Sequence, residues 1–287
     1  MSSDIKVSVC IVSYNQDSYI EQCIRSVLDQ DTQYSFDIIV GDDASTDNTR
    51  EILANLKTQY PDKITLLLHD KNIGPFNNVL ATYRAARGEY ISHLDGDDYF
   101  LPNKIEKQVS LMEGDPSCGM SFHSVMQLDP ERNFKFKKIN CAGIPNAGWT
   151  RSDLIRLMAP AVNSSKMFRR KLLDGFKEPG FPLIDTIFNC LIISDMRVKV
   201  ISDDALGVYR SSIGISSAGL TTKIASAKGY EYMISFVSRV DRLSICYVAL
   251  LLMLVELKNF RSAWCLYFKL FLKSLNFFKG GYKGDCS

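Results

Sequence analysis

Apolar and polar positions alternate with two different periods along the first half of the chain. Lys6-Val7-Ser8-Val9-Cys10-Ile11-Val12, Phe36-Asp37-Ile38-Ile39-Val40, Ile64-Thr65-Leu66-Leu67-Leu68 and the run from Tyr90 to Leu94 are short and β-rich, as buried strands are. Between them the period lengthens. Ile20, Cys23, Ile24, Val27 and Leu28 fall on one helical face, as do Ile52, Leu53, Leu56 and Tyr60. Asn15 or Asp17 can start the first of these helices and Asp47 the second, with Pro61 just beyond its end. Asn72-Ile73-Gly74-Pro75 reads as a turn, and Val79 to Arg87 as a helix ending at Gly88. Strand–helix alternation with crossovers of this length predicts an α/β fold on a mostly parallel sheet.

The pattern continues less clearly. Pro102 opens a helix with Ile105, Val109 and Met112 in register, Gly119 to His123 reads as a strand, and residues 126–160 show no period. Val162 to Arg170 is a polar-to-basic run, Phe181 to Asp185 opens a helical apolar stretch through Ile193, and Val198 to Ile201 is a last strand. From Ile224 the texture is helical. Thirteen uncharged residues, Leu243 to Val255, lie between Arg242 and Glu256. A membrane-crossing helix needs about 20, so this tail is expected to lie on a membrane surface or to pack as a helical hairpin or dimer face. The expected division is 1–219 for the α/β domain and 220–287 for a C-terminal helical region.

Charge sharpens that division. The chain carries +2 overall, but ten Lys/Arg against four Asp/Glu from Thr221 onward leave the rest net acidic. A basic, apolar tail suits an anionic surface. The eight cysteines are scattered, with no C-x-x-C pair, so neither a disulfide framework nor a zinc site is expected. Met1 to Lys6 shows no basic segment followed by an apolar one, so no signal peptide is expected and the reading is cytoplasmic, at the inner face of the cytoplasmic membrane.

The candidate chemistry sits at the strand ends. Ser13-Tyr14-Asn15 follows the first strand, Gly41-Asp42-Asp43 the second, and Asp95-Gly96-Asp97-Asp98 the fourth. In a parallel sheet these ends share one edge, where open α/β folds place their ligand crevice. An isolated acidic turn is normally a solvated helix start; three such clusters converging is a different matter. Three neighbouring carboxylates repel one another, and hard oxygen ligands without Cys or paired His favour Mg²⁺ or Mn²⁺ over zinc. No G-x-G-x-x-G or P-loop is present, so a metal would have to manage any nucleotide phosphates. The spacing is not that of an EF-hand, since Gly comes too early and no Glu closes the loop. His69, His93 and His123 are expected to be satisfied structural residues.

Three motifs in order, Ile11 to Asn15, Val40 to Asp47 and Gly88 to Asp98, resemble those of family 2 glycosyltransferases. Asn72-Ile73-Gly74, Asp98-Tyr99-Phe100, Ser164 to Arg169 and Tyr209-Arg210 extend the resemblance over roughly residues 5–217. It implies a GT-A fold, a nucleotide-sugar donor (most often a UDP-sugar), Mn²⁺ or Mg²⁺, and single-step inversion at the anomeric carbon. By motif position, Val12 and Tyr14 line the nucleotide pocket, Asp43 binds the uracil ring, and Asp42 orders its loop. Asp97 is the direct metal ligand, while Asp95 faces the ribose and sugar or shares the metal. Asp185, after Ile184 where relatives carry Glu or Gly, is the candidate catalytic base, with helix capping as its competing role. Ser212 stands where many relatives carry a His. The expected partners are a donor and a glycan or lipid-linked acceptor of cell-surface polysaccharide synthesis, with no nucleic acid, peripheral membrane contact, and a homodimer through the C-terminal helices as the other use of the tail. A nucleotide-sugar-binding protein without catalysis is the alternative, motivated by Ile184 and Ser212.

Overall fold

The computed structural model describes residues 5–129, 132–137, 147–157, 161–211, 220–259 and 263–276. The chain divides into two compact units. One comprises Met1–Trp149, Pro160–Phe176 and Asp195–Ser216; the other comprises Thr150–Ala159, Lys177–Ser194 and Ser217–Ser287. The tail expected to begin at residue 220 is thus joined in the second unit by two earlier segments.

The first unit is built on strands β1 (Val7–Ser13), β2 (Phe36–Asp42), β3 (Ile64–Leu68) and β4 (Tyr90–Asp95), linked by helices α1 (Ile20–Leu28), α2 (Thr49–Gln59) and α3 (Pro75–Ala85). They pair in parallel in the order β3-β2-β1-β4. Val7, Val9 and Ile11 are fully buried, and so are Ile20, Cys23, Ile24 and Val27 of α1; together they belong to one apolar cluster. Each such side chain contributes about 1.5–3 kcal/mol on burial, which sets the register so that all three polar strand ends reach the same edge. Ser13 pairs with Asp42 and Val12 with Asp95.

Helix α3 starts four residues earlier than the periodicity predicts, because Pro75 occupies its first turn, where its missing N–H costs nothing. Beyond β4, the two-residue β5 (Tyr99–Phe100) is followed by α4 (Lys104–Glu113), β6 (Cys118–Asp129) and β7 (Arg132–Lys137). Strands β8 (Met167–Arg169) and β9 (Arg197–Arg210) complete the sheet, in the order β3-β2-β1-β4-β8-β6-β9-β5 with β7 on β6. β6 and β9 are far longer than Gly119–His123 and Val198–Ile201 suggest, because register shifts at His123/Ser124 and Ser124/Met126 interrupt the alternation that marks a strand. β5 lies next to β4 in sequence but at the far end of the sheet, paired with β9. The acidic turn between them therefore spans from one half of the sheet to the other.

The second unit is helical: α5 (Arg151–Leu157), α6 (Asp185–Ile192), α7 (Leu220–Ile234), α8 (Arg239–Lys258) and α9 (Trp264–Asn276). α5 packs on α6 and α8, and α9 on α7 and α8. Buried charges tie it together. Ser152 Oγ donates to Asp241 Oδ1 at 2.6 Å, and Lys223 Nζ meets both Glu256 oxygens at 2.7 Å. Among the described residues no helix is long and apolar enough to cross a membrane.

Candidate active site

The β1 and β2 loops are stitched to each other. Asn15, at positive φ of 53°, donates its backbone N–H to Ser45 Oγ at 2.9 Å, and its side-chain Oδ1 accepts from Thr46 N at 2.8 Å. Gln16 N donates to Thr49 Oγ1, and Asp43 N to Ser13 O at 2.9 Å. Asp42 is buried and accepts from Ser45 N and Oγ and from Arg50 Nε, consistent with the loop-ordering role expected for it. Asp43, also buried, holds the next loop: its two oxygens accept Ile73 N at 2.6 Å and Gly74 N at 3.0 Å. A carboxylate offers about four acceptor positions, so two remain for a ligand. Tyr14 projects from this edge at 43% exposure, beside the half-buried Val12.

The acidic turn is held from four sides. Gly96 N donates to Val12 O at 2.9 Å, and a β-carbon on Gly96 would come within 3.1 Å of that oxygen and of Ile20 Cδ1. A side chain there would crowd the turn against β1 and displace Gln16 Oε1, so glycine suits this close approach. Behind Asp95, His93 is fully buried, with Nδ1 2.9 Å from Tyr83 Oη and Nε2 3.1 Å from Asp95 Oδ1. His93 is thus the satisfied residue expected, and its satisfaction fixes the carboxylate of the turn. His69 pairs with Asn78, and the His123 imidazole, buried and near Lys104, is pushed down to about 3 and stays neutral.

From the far side, Ser164 Oγ accepts Asp95 N at 3.1 Å and lies 3.0 Å from Asp95 Oδ2 and 2.5 Å from Asp98 Oδ2. One hydroxyl proton cannot serve two carboxylates. Burial and the neighbouring Asp95 push Asp98 well above the usual carboxylate range, which eases the crowding of two carboxylates on the one Ser164 hydroxyl. Asp98 Oδ1 accepts Arg210 N at 2.8 Å, while the Arg210 guanidinium donates to Asp97 O and Gln22 Oε1. That guanidinium stacks between Tyr19 and Tyr99, 4.8 and 5.0 Å from their centroids. Arg210 therefore clamps the main chain of the turn through Asp97 O, and its charge lowers the Asp97 carboxyl by less than burial and Asp95 raise it.

The result is an asymmetric pair. Burial raises the Asp95 carboxyl, but His93, Ser164 and Lys166 outweigh it and hold it below its ordinary value. Burial and the Asp95 charge push Asp97 up to about 6. Two oxygen donors carrying excess negative charge fit a hard divalent cation, which usually takes one or two protein carboxylates and completes its shell with water and substrate phosphates. Among the described residues no group of three or more His, Cys, Asp or Glu could hold a metal alone. A hollow of about 620 Å³ opens between α1 and β5, lined by Glu21, Gln22, Arg25 and Tyr99; it does not include the carboxylates.

Residues 8–174 match the family described as "Glycosyl transferase family 2". The chain belongs to this family. It is 37% identical over 125 residues, 43% of its length, to the "Putative teichuronic acid biosynthesis glycosyltransferase TuaG" of Bacillus subtilis, of which the match covers 48%. The chain spans less than half the length of the curated relatives it matches. Its fold is similar to that of S. aureus TarS solved with UDP-GlcNAc, with a TM-score of 0.58 and 21% identity over 84% of this chain and 66% of that one. It is also similar to the mannosyltransferase PcManGT of Pyrobaculum calidifontis, solved with GDP-Man and Mn²⁺ (TM-score 0.58, 16% identity, 96% and 88% covered).

Among the site residues expected for a family 2 glycosyltransferase, Val12, Tyr14, Asp43, Asp95 and Asp97 come together in the first unit. Asp185 is the exposed first residue of α6, in the second unit. The cap position belongs to Ile184, with extended backbone, so the capping role considered for Asp185 is corrected. Ser212 lies outside the described residues. Ser164, Asp98 and Arg210 were visible as motif letters, but their mutual contacts join positions 66 and 112 residues apart, which no local pattern reveals.

Proposed function

We propose that this chain is a metal-dependent inverting glycosyltransferase, moving a sugar from a UDP-sugar to a glycan or lipid-linked acceptor in cell-surface polysaccharide synthesis. Family membership supports the reaction class, and the names of TuaG and of TarS with UDP-GlcNAc support the pathway and donor. The observation that carries the reading is the buried Asp97 carboxylate, raised to about 6 beside Asp95 at the edge that holds Tyr14 and Asp43. Two buried oxygens of that edge, Ser13 Oγ and Gln16 Oε1, also have no partner among the described residues, as expected of a pocket built for a polar ligand.

Asp97, with Asp95, would hold Mn²⁺ or Mg²⁺. When bound, the cation supplies neutralisation of the charge that develops on the departing diphosphate. The chain's own residues do the rest. Tyr14 and Val12 receive the nucleoside, and Asp43 accepts from the uracil N–H. Asp185 takes the acceptor hydroxyl proton as that oxygen bonds to the anomeric carbon and the carbon–oxygen bond to UDP breaks.

Asp43→Ala tests the donor pocket. Removing the acceptor for the base and the anchor of Ile73 and Gly74 should weaken UDP binding about tenfold, the value of one hydrogen bond of about 1–1.5 kcal/mol. Calorimetry should give the same loss with and without Mn²⁺. Wild-type UDP affinity in the variant would remove Asp43 from the pocket.

A further inference from the structure

The second unit carries an apolar surface that its own packing leaves uncovered. Sixteen large apolar side chains are exposed among the described residues, and all but Tyr14 and Leu68 belong to this unit. On α8, Ser244, Ile245, Val248 and Ala249 are fully buried and form the inner stripe. Val240, Leu243, Tyr247, Leu251 and Leu254 form a second stripe at 37 to 58% exposure. Their spacing of three or four residues keeps them on one face for roughly 21 Å of helix. A surface helix ordinarily carries charge there; from Leu243 to Val255 this one carries none. On α9, Trp264, Phe268, Leu272 and Leu275 repeat the pattern at 37 to 42% exposure.

The charges around these stripes are sorted by sign. Both acids of α8 point inward: Asp241 accepts from Ser152 and Ser238 and lies 3.5 Å from Arg151, and Glu256 is bound by Lys223. They are 6% and 3% exposed. Arg239 and Lys258, at the two ends of α8, are exposed, as are Lys269 and Lys273 on α9. The exposed acid on α7, α8 and α9 is Glu231, paired with Lys273.

We propose that the exposed stripes of α8 and α9 dock this protein on an anionic phospholipid surface. The apolar side chains enter the boundary between headgroups and acyl chains, and the flanking bases meet the lipid phosphates. Charge decides between this occupant and a second copy of the chain. A second copy would set the basic rims against each other, whereas lipid phosphates neutralise them. Docking needs neither donor nor metal, so its failure would leave the sugar-transfer reading untouched.

Flotation of the full chain with vesicles tests it. Binding to phosphatidylcholine vesicles containing phosphatidylglycerol should exceed binding to phosphatidylcholine alone by at least about tenfold, and should fall in about 0.5 M salt. Leu243→Asp with Leu254→Asp should lower binding at least about tenfold, because each places a charge in the apolar layer, while UDP affinity stays at wild type. An unmodified reporter guards against misfolding of that variant. Of the two tryptophans, Trp149 is 2% exposed and Trp264 37%. Wild-type emission should shift to the blue on anionic vesicles and be quenched by brominated acyl chains, through Trp264. Absence of flotation, an unshifted emission, or full binding by the double variant would overturn the proposal. So would a wild-type dimer in sedimentation that the variant turns into a monomer, which would make the stripe a subunit interface.

Discussion

Asp97→Asn is expected to abolish metal-dependent turnover and, in the same molecule, to make the ligand-free protein more stable at pH 7. The turnover loss follows from removing a charged oxygen donor whose ionisation burial and Asp95 disfavour. The stability gain follows from the same fact. Asp97 is 7% exposed, and burial beside Asp95 raises its carboxyl from 3.8 to about 6. A carboxylate raised on folding behaves opposite to a salt-bridged one. Its ionisation opposes folding fully above about pH 6, and the cost shrinks as pH falls toward the unfolded value. Two units correspond to roughly 2–3 kcal/mol, so Tm at pH 7.5 should rise by about 5 °C, and the difference should vanish near pH 4. Calorimetry with UDP should lose its dependence on Mn²⁺. Retained metal dependence, or a variant less stable than wild type at pH 7.5, would remove Asp97 as the ligand.

Asp185→Asn is expected to cut transfer at least about 100-fold, the usual scale of general acid–base catalysis, with near-normal UDP and metal binding. A base takes the acceptor proton but grips neither nucleotide nor cation. The structural cost of the change is small because Asp185 is exposed and Ile184 holds the cap position. What is lost structurally is one negative charge in the first turn of α6, worth about 0.3–1 kcal/mol. A hundredfold rate change corresponds to about 2.7 kcal/mol, so the two effects separate in size. Transfer rates within a few-fold of wild type, measured with the true acceptor, would show that the base lies elsewhere.

The parallel half of the sheet was legible because its strands are short, buried and separated by helices with a clear period. β3 spans Ile64–Leu68 as the pattern alone predicts, and α1 buries Ile20, Cys23, Ile24 and Val27. The other half, where parallel and antiparallel pairings mix, was not, for physical reasons. β8 is three residues long, too short to show alternation, and the residue before it, Lys166, is fully buried although its type argues for solvent. The polar-to-basic run from Val162 to Arg170 therefore conceals a central strand. In the site, the residue types Asp95, Asp97 and Asp43 could be chosen from chemistry and motif. What each carboxylate is bonded to could not. Asp43 doubles as the anchor of the Ile73–Gly74 turn, and Asp98 belongs to the clamp with Ser164 and Arg210. The first joins loops 30 residues apart, and the second arises only when Ser164 and the end of β9 return beside the acidic turn.

The most direct test of the central claim is donor hydrolysis, because it needs the nucleotide pocket and the metal site but no known acceptor. The purified 287-residue chain is incubated with a panel of UDP-sugars and Mn²⁺, and released UDP is measured against time. Slow release from at least one UDP-sugar is expected, eliminated by a chelator and by Asp97→Asn. UDP-sugar binding with no release from any donor would contradict it and leave a nucleotide-sugar-binding protein without catalysis.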